Sequence, residues 1–151
     1  MKKYFYLLFL VPLLLTFSCG GCGSTSGGGG GSTGTSINLN GTFSGSASDS
    51  TGPGQLTMSL TQNNTTISGS VTVTTPSGNC VGHGSISGTL SGTTLSFTIV
   101  TPKGGISCQT NCSGSLSGTA TVTSSTIRGT YTGNNSCTGT FTNGQFTLTK
   151  S

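Results

Sequence analysis

Leu56-Thr57-Met58-Ser59-Leu60-Thr61-Gln62-Asn63-Asn64-Thr65-Thr66-Ile67-Ser68-Gly69-Ser70-Val71 alternates apolar and polar residues on either side of an asparagine pair. Alternation with period two places every second side chain on one face of an extended strand. A two-residue turn at Asn63-Asn64 would set Leu60 opposite Ile67, Met58 opposite Gly69 and Leu56 opposite Val71. Inward residues then meet inward residues, as a hairpin with one buried face requires.

The same text continues in both directions. Phe43, Gly45 and Ala47 share a face upstream, and Val73 extends the set begun by Ile67, Gly69 and Val71. Downstream come Ile86, Gly88 and Leu90; Leu95, Phe97 and Ile99; Leu116, Gly118, Ala120 and Val122; Ile127, Gly129 and Tyr131; then Phe146 and Leu148. These sets predict eight strands, with Ser and Thr on the opposite faces. Turns at Ser91-Gly92 and Ser124-Ser125 keep the phase, pairing Ile86 with Phe97 and Val122 with Ile127. The Ser50 to Pro53 loop brings Phe43 opposite Leu60. Phe141 alone is out of phase with Phe146 and Leu148, and a bulge or tight turn at Asn143-Gly144 would repair it.

A meander of this kind buries its apolar face and loses its exposed edges by closing into a barrel, with Asn40-Gly41-Thr42-Phe43 paired to the last strand. The expected fold class is therefore an all-β, eight-stranded antiparallel up-and-down barrel over residues 37–151, with an open two-sheet sandwich as the alternative. In strand number, strand length and the early Gly-Thr-Phe, the domain resembles the small calycin-type barrels, lipocalin-like and avidin-like. That resemblance implies a small apolar ligand in the barrel mouth or interior. The biotin-binding branch is disfavoured, because its pocket depends on tryptophan and this chain has none.

Glycines recur two positions after an inward aliphatic, at Gly69, Gly88, Gly118 and Gly129. Glycine weakens a strand, so its repeated use needs a reason. Either the glycines let a small barrel coil tightly around Phe97, Tyr131 and Phe146, or they leave a cavity. On the second reading the lining would comprise Phe43, Met58, Gly69, Gly88, Phe97, Gly118, Gly129, Tyr131 and Phe146.

Ahead of the barrel, Lys2 and Lys3 precede an apolar run from Tyr4 to Phe17, which reads as an export signal over residues 1–18. Leu15-Thr16-Phe17-Ser18-Cys19 resembles the lipobox of bacterial lipoproteins, although Phe17 stands where that family more often has a small residue. The resemblance implies cleavage after Ser18 and lipidation of Cys19, with Cys22 as the second choice of acceptor. Gly20 is not the Asp that favours inner-membrane retention in Gram-negative lipoproteins, which implies an outer-membrane address in such a host. Residues 19–36 form a Gly/Ser/Thr tract with nothing to bury, a linker that reaches about 20 to 25 Å.

The four cysteines beyond the linker, in an exported chain, read as two disulfides. The sum rule that pairs Val122 with Ile127 puts Cys112 opposite Cys137, and Cys80 falls opposite about Lys103, at the start of the loop that carries Cys108. The expected bonds are Cys80-Cys108 and Cys112-Cys137. A zinc site near His83 is the competing reading, disfavoured by the oxidising compartment and the lack of a paired CxxC.

Without its signal the chain retains Lys103, Arg128 and Lys150 against Asp49, a net charge of +2, too weak and scattered for nucleic acid. It contains no glutamate, a single aspartate, Asp49, and a single histidine, His83. Paired-carboxylate catalysis is thereby excluded. Asp49 sits in a turn signal that an Asx turn explains, and His83 lies between glycines at the expected barrel rim. No catalytic residue, metal or cofactor is expected. The primary expectation is a monomeric, non-catalytic envelope protein, anchored by its lipid and meeting other envelope proteins. The alternative is a binding protein for a small apolar ligand.

Overall fold

The structure, a computed structural model, describes residues 36–151. The expected signal sequence, Cys19, Cys22 and the linker up to residue 35 lie outside the described residues. Eight antiparallel strands run in chain order: β1 (Gly41–Asp49), β2 (Gly52–Asn63), β3 (Thr66–Thr74), β4 (Val81–Ser91), β5 (Thr94–Thr101), β6 (Gly114–Val122), β7 (Thr126–Asn135) and β8 (Gly139–Lys150). Each pairs with its neighbour, and β8 returns to β1 through Phe43–Lys150, Gly45–Leu148 and Ala47–Phe146, closing the barrel. The sandwich alternative is excluded, because no strand edge is left open. With its own closed hydrogen-bonded ring and its own core, the segment 36–151 is a self-sufficient folding unit.

The alternation read from the sequence is the inside-outside pattern of the barrel. Phe43, Leu60, Ile67, Leu95, Val122, Ile127 and Leu148 face inward with at most 4% of their surface exposed. The Ser and Thr between them face outward, where Thr42 meets Ser59 and Ser44 meets Thr57 in hydroxyl–hydroxyl hydrogen bonds of 3.3 Å each. This is the inverse of a membrane-spanning barrel, which turns its apolar band outward.

The register differs from the sequence expectation at three hairpins, always by two residues. In β2–β3, Leu60 faces Gly69 and Met58 faces Val71; in β4–β5, Leu90 faces Leu95 and Ile86 faces Ile99; in β1–β2, Phe43 faces Met58. The first two shifts have one cause. The residue that accepts positive φ, Asn64 at 54° and Gly92 at 58°, takes the first position of its two-residue turn rather than the second. In β1–β2 a tight Ser50-Thr51 turn replaces the longer loop, because the Asp49 carboxylate accepts the Thr51 N–H at 2.8 Å. A displacement of two residues leaves every side chain on its face, so the core is unaffected. The β6–β7 register, with Val122 opposite Ile127, is the one expected.

Phe141 comes into phase by a bulge in β8. Tyr131 faces Gly144 but Gly133 faces Phe141, so Thr142 and Asn143 share one place opposite β7, with Asn143 at a φ of 57°.

The two ends of the barrel are built differently. At one end the turns are tight, and the segment before β1 folds across the opening, with Leu39 wholly buried. Gln62 holds that segment: its Oε1 accepts the Leu39 N–H at 2.8 Å, and its Nε2 donates to Ile37 O at 3.1 Å and to Asn64 O at 2.9 Å. The C-terminus returns to the same end, where the Ser151 N–H donates to Thr42 O at 2.9 Å. At the opposite end the tight Ser50-Thr51 turn stands beside the β3–β4 loop, the long connection between β5 and β6 and the short β7–β8 turn, and together they frame a mouth.

Candidate ligand cavity

The mouth is bordered by the β3–β4 loop, the Thr101–Gly114 connection and the β7–β8 turn. Disulfides Cys80–Cys108 and Cys112–Cys137 tie the middle connection to the other two. The connection also continues the sheet beside the start of β4, through an Ile106–Gly82 bridge, a 2.6 Å bond from the His83 N–H to Gly105 O and a 2.8 Å bond from the Ser107 N–H to Val81 O. On its far side the Ser136 N–H donates to Ser113 O at 2.9 Å and Asn135 Nδ2 reaches Gln109 Oε1 at 3.4 Å. The rim is held by covalent bonds and by hydrogen bonds.

Beneath the rim lies a cavity of about 350 Å³, within the lower part of the range of about 300–1,000 Å³ usual for ligand pockets. Its walls are apolar: Met58, Val71, Ile99 and Leu116, with Ala47 on the β1 side. Four aromatic rings climb one wall. Phe97 and Phe146 meet edge to face with centroids 5.7 Å apart, Tyr131 lies 6.2 Å from Phe146, and Phe141 lies 6.1 Å from Tyr131. Phe141, which the β8 bulge turns inward, is the outermost ring.

Of the residues expected to line a cavity, Met58, Phe97, Tyr131 and Phe146 do so. Phe43, Gly69, Gly88, Gly118 and Gly129 lie outside the lining. Phe43 is fully buried in the filled half below. The glycines mark where neighbouring strands press together. A Cβ on Gly69 would collide with Ser59 O, and one on Gly118 with Thr130 O and, at 2.9 Å, with Phe97 Cζ. They admit tight coiling and a ring edge, so the cavity arises where the side chains run out towards the mouth.

One polar feature in the cavity had no signal in the local sequence. Tyr131 Oη donates to Asp49 Oδ2 at 3.0 Å, across 82 positions of chain. Three elements make this possible. Asp49 ends β1, and its Oδ1 accepts both the N–H and the hydroxyl of Thr51, the expected Asx turn. That turn is tied to the β8 bulge by Ser50 N–H to Thr142 O and Thr142 N–H to Ser50 Oγ, each 3.1 Å. Gly144, opposite Tyr131, leaves the space over which the phenol ring crosses β8, since a Cβ there would lie 2.5 Å from the ring. Burial pushes the Tyr131 phenol well above the usual tyrosine range, and the hydrogen bond to Asp49 and its negative charge act in the same direction. Tyr131 is thus a neutral donor. The pairing of an inward Tyr with a Gly on the neighbouring strand was the only sequence sign of this reach.

His83 lies on the outer wall, its Nδ1 3.3 Å from Thr72 Oγ1, while the flanking Gly82 and Gly84 line the cavity. The chain's histidine and its aspartate are therefore not brought together. The four cysteines of the domain are joined in disulfides, a chemistry that points to an extracytoplasmic compartment. No protein-family model matches this chain, and no curated protein matches it.

Proposed function

We propose that this is an exported, lipid-anchored protein of the bacterial envelope whose barrel takes up a small, largely apolar molecule through the disulfide-bordered mouth. The observation that carries the reading is the unequal filling of the barrel. One half is packed solid with Phe43, Leu60, Ile67, Ile127 and Leu148, whereas the half under the mouth keeps about 350 Å³ lined mainly by Met, Val, Ile, Leu and aromatic side chains. Protein interiors are ordinarily packed to crystal-like density, so an apolar space of that size with an opening is costly unless it is used. The lipobox-like Leu15 to Cys19 supports the anchor, and the disulfides agree with export.

Titration of residues 36–151 with an environment-sensitive naphthalene dye is expected to saturate at one site per folded domain. Ala47→Leu, which fills the cavity from β1 without adding a polar group, is expected to weaken that binding by tenfold or more, roughly the effect of one or two misplaced methylenes, while leaving thermal stability equal or higher. Absence of saturable binding to the unsubstituted domain would overturn the reading. The anchor has its own test. Cys19→Ser is expected to move the protein from the membrane to the soluble fraction or to leave it unprocessed, and loss of membrane association on Cys22→Ser instead would reassign the acceptor.

A further inference from the structure

The cavity carries one charged side chain. Asp49 is in its lining, and no Lys, Arg or His is. The cations of the domain are elsewhere: Lys150 lies at the closed end, its Nζ 5.5 Å from the Phe43 ring centroid, Arg128 is exposed on β7, and Lys103 is exposed in the mouth connection but outside the lining. Asp49 is therefore the charge that a molecule inside the cavity would meet first.

A carboxylate beside apolar walls is disfavoured unless donors or a cation compensate it. Three donors are in place: the Tyr131 hydroxyl on Oδ2, and the N–H and hydroxyl of Thr51 on Oδ1. Two carboxylate oxygens have about four lone-pair sites, so the arrangement leaves room for one further donor. The Tyr131 ring that supplies one of these bonds stands next to Phe141 and Phe146. Aromatic faces within about 6 Å of a cation attract it through the ring quadrupole.

We propose that the ligand of this cavity is an apolar molecule bearing a protonated amine, with Asp49 as its counterion and Tyr131 and Phe141 as the rings beside the ammonium group. The inference rests on the reading of the cavity as a ligand site and adds its chemical class. A fatty acid or other apolar anion of similar size would bring a second negative charge beside Asp49 with no cation in the cavity lining to receive it. Asp49 and Thr51 hold the carboxylate through the turn, and Tyr131 fixes its other oxygen, so the counterion is oriented before the ligand arrives.

Three ligands with one apolar body test this on residues 36–151: 1-naphthylmethylamine, 1-naphthylmethanol and 1-naphthoate, each titrated by its own fluorescence at neutral pH. The amine is expected to bind about tenfold tighter than the alcohol, the scale of one charge-assisted hydrogen bond, and the naphthoate weakest of the three. Asp49→Asn keeps the turn acceptor and removes the charge; it is expected to bring the amine to the affinity of the alcohol, and a cooperative thermal transition shows that the variant is folded. An amine that binds no tighter than the alcohol, or a preference that survives Asp49→Asn, overturns the inference. Failure of all three ligands to bind overturns the underlying reading of the cavity instead.

Discussion

Reduction of both disulfides is expected to lower the thermal midpoint of residues 36–151 by on the order of 20 °C, from about 3 kcal/mol per bond and about 4 °C per kcal/mol for a domain of this size. The two bonds act chiefly on the unfolded chain. Cys80–Cys108 closes a loop with a sequence separation of 28 and Cys112–Cys137 one of 25, and the two loops do not overlap, so their restraints on the unfolded ensemble add. Calorimetry with and without a phosphine reductant measures the sum, and the paired variants Cys80→Ala/Cys108→Ala and Cys112→Ala/Cys137→Ala measure each part. A reduced domain that melts within a few degrees of the oxidised one would show that hydrogen bonds such as His83 N–H to Gly105 O hold the rim unaided. The same reduction is expected to abolish dye binding before global unfolding, because both bonds lie at the mouth.

Phe43→Ala is expected to destabilise the domain by about 3–5 kcal/mol, the range for removing a fully buried phenylalanine ring. Phe43 is 0% exposed, sits opposite Met58 on β2 and Lys150 on β8, and lies in the filled half. Phe141→Ala is the informative comparison. That ring is half-buried at the outer edge of the cavity, next to space that is already empty, so its loss is expected to cost about 1 kcal/mol, near the centre of the distribution for point substitutions. Urea unfolding of the two variants compares the two ends of the barrel directly. Equal costs would mean that the mouth half is packed as tightly as the closed half.

Alternation made the eight strands, their inward faces and the ring closure legible, because period two is a property of each strand alone and survives any shift by two residues. The register itself was less accessible. Whether Asn64 occupies the first or second turn position changes every partner in β2–β3 yet moves no residue between core and surface. The bulge opposite Tyr131 was readable, since Phe141 and Phe146 are separated by an odd number and cannot share a face without an extra residue. The hollow was not. Gly69 and Gly118 look alike whether they open a space or let strands press together, and the difference lies in the distance to Ser59 O and Thr130 O, a quantity with no local trace. The Asp49–Tyr131 link was hidden for a related reason: it joins β1 to β7 across β8, and depends on Gly144 having no side chain.

Both ends of the barrel segment emerge at its base. Ser36 leads into the strap that Gln62 holds, and Ser151 stops beside Thr42, so the rim is made of continuous, cross-linked chain with no terminus in it. The domain is a cup that can be held only from below. Whatever is joined to either end, an acyl chain, a fluorophore or a neighbouring domain, attaches to the base: a pull on the leading end is taken first by Gln62, and one on the trailing end by the bond to Thr42 O and the end of β8.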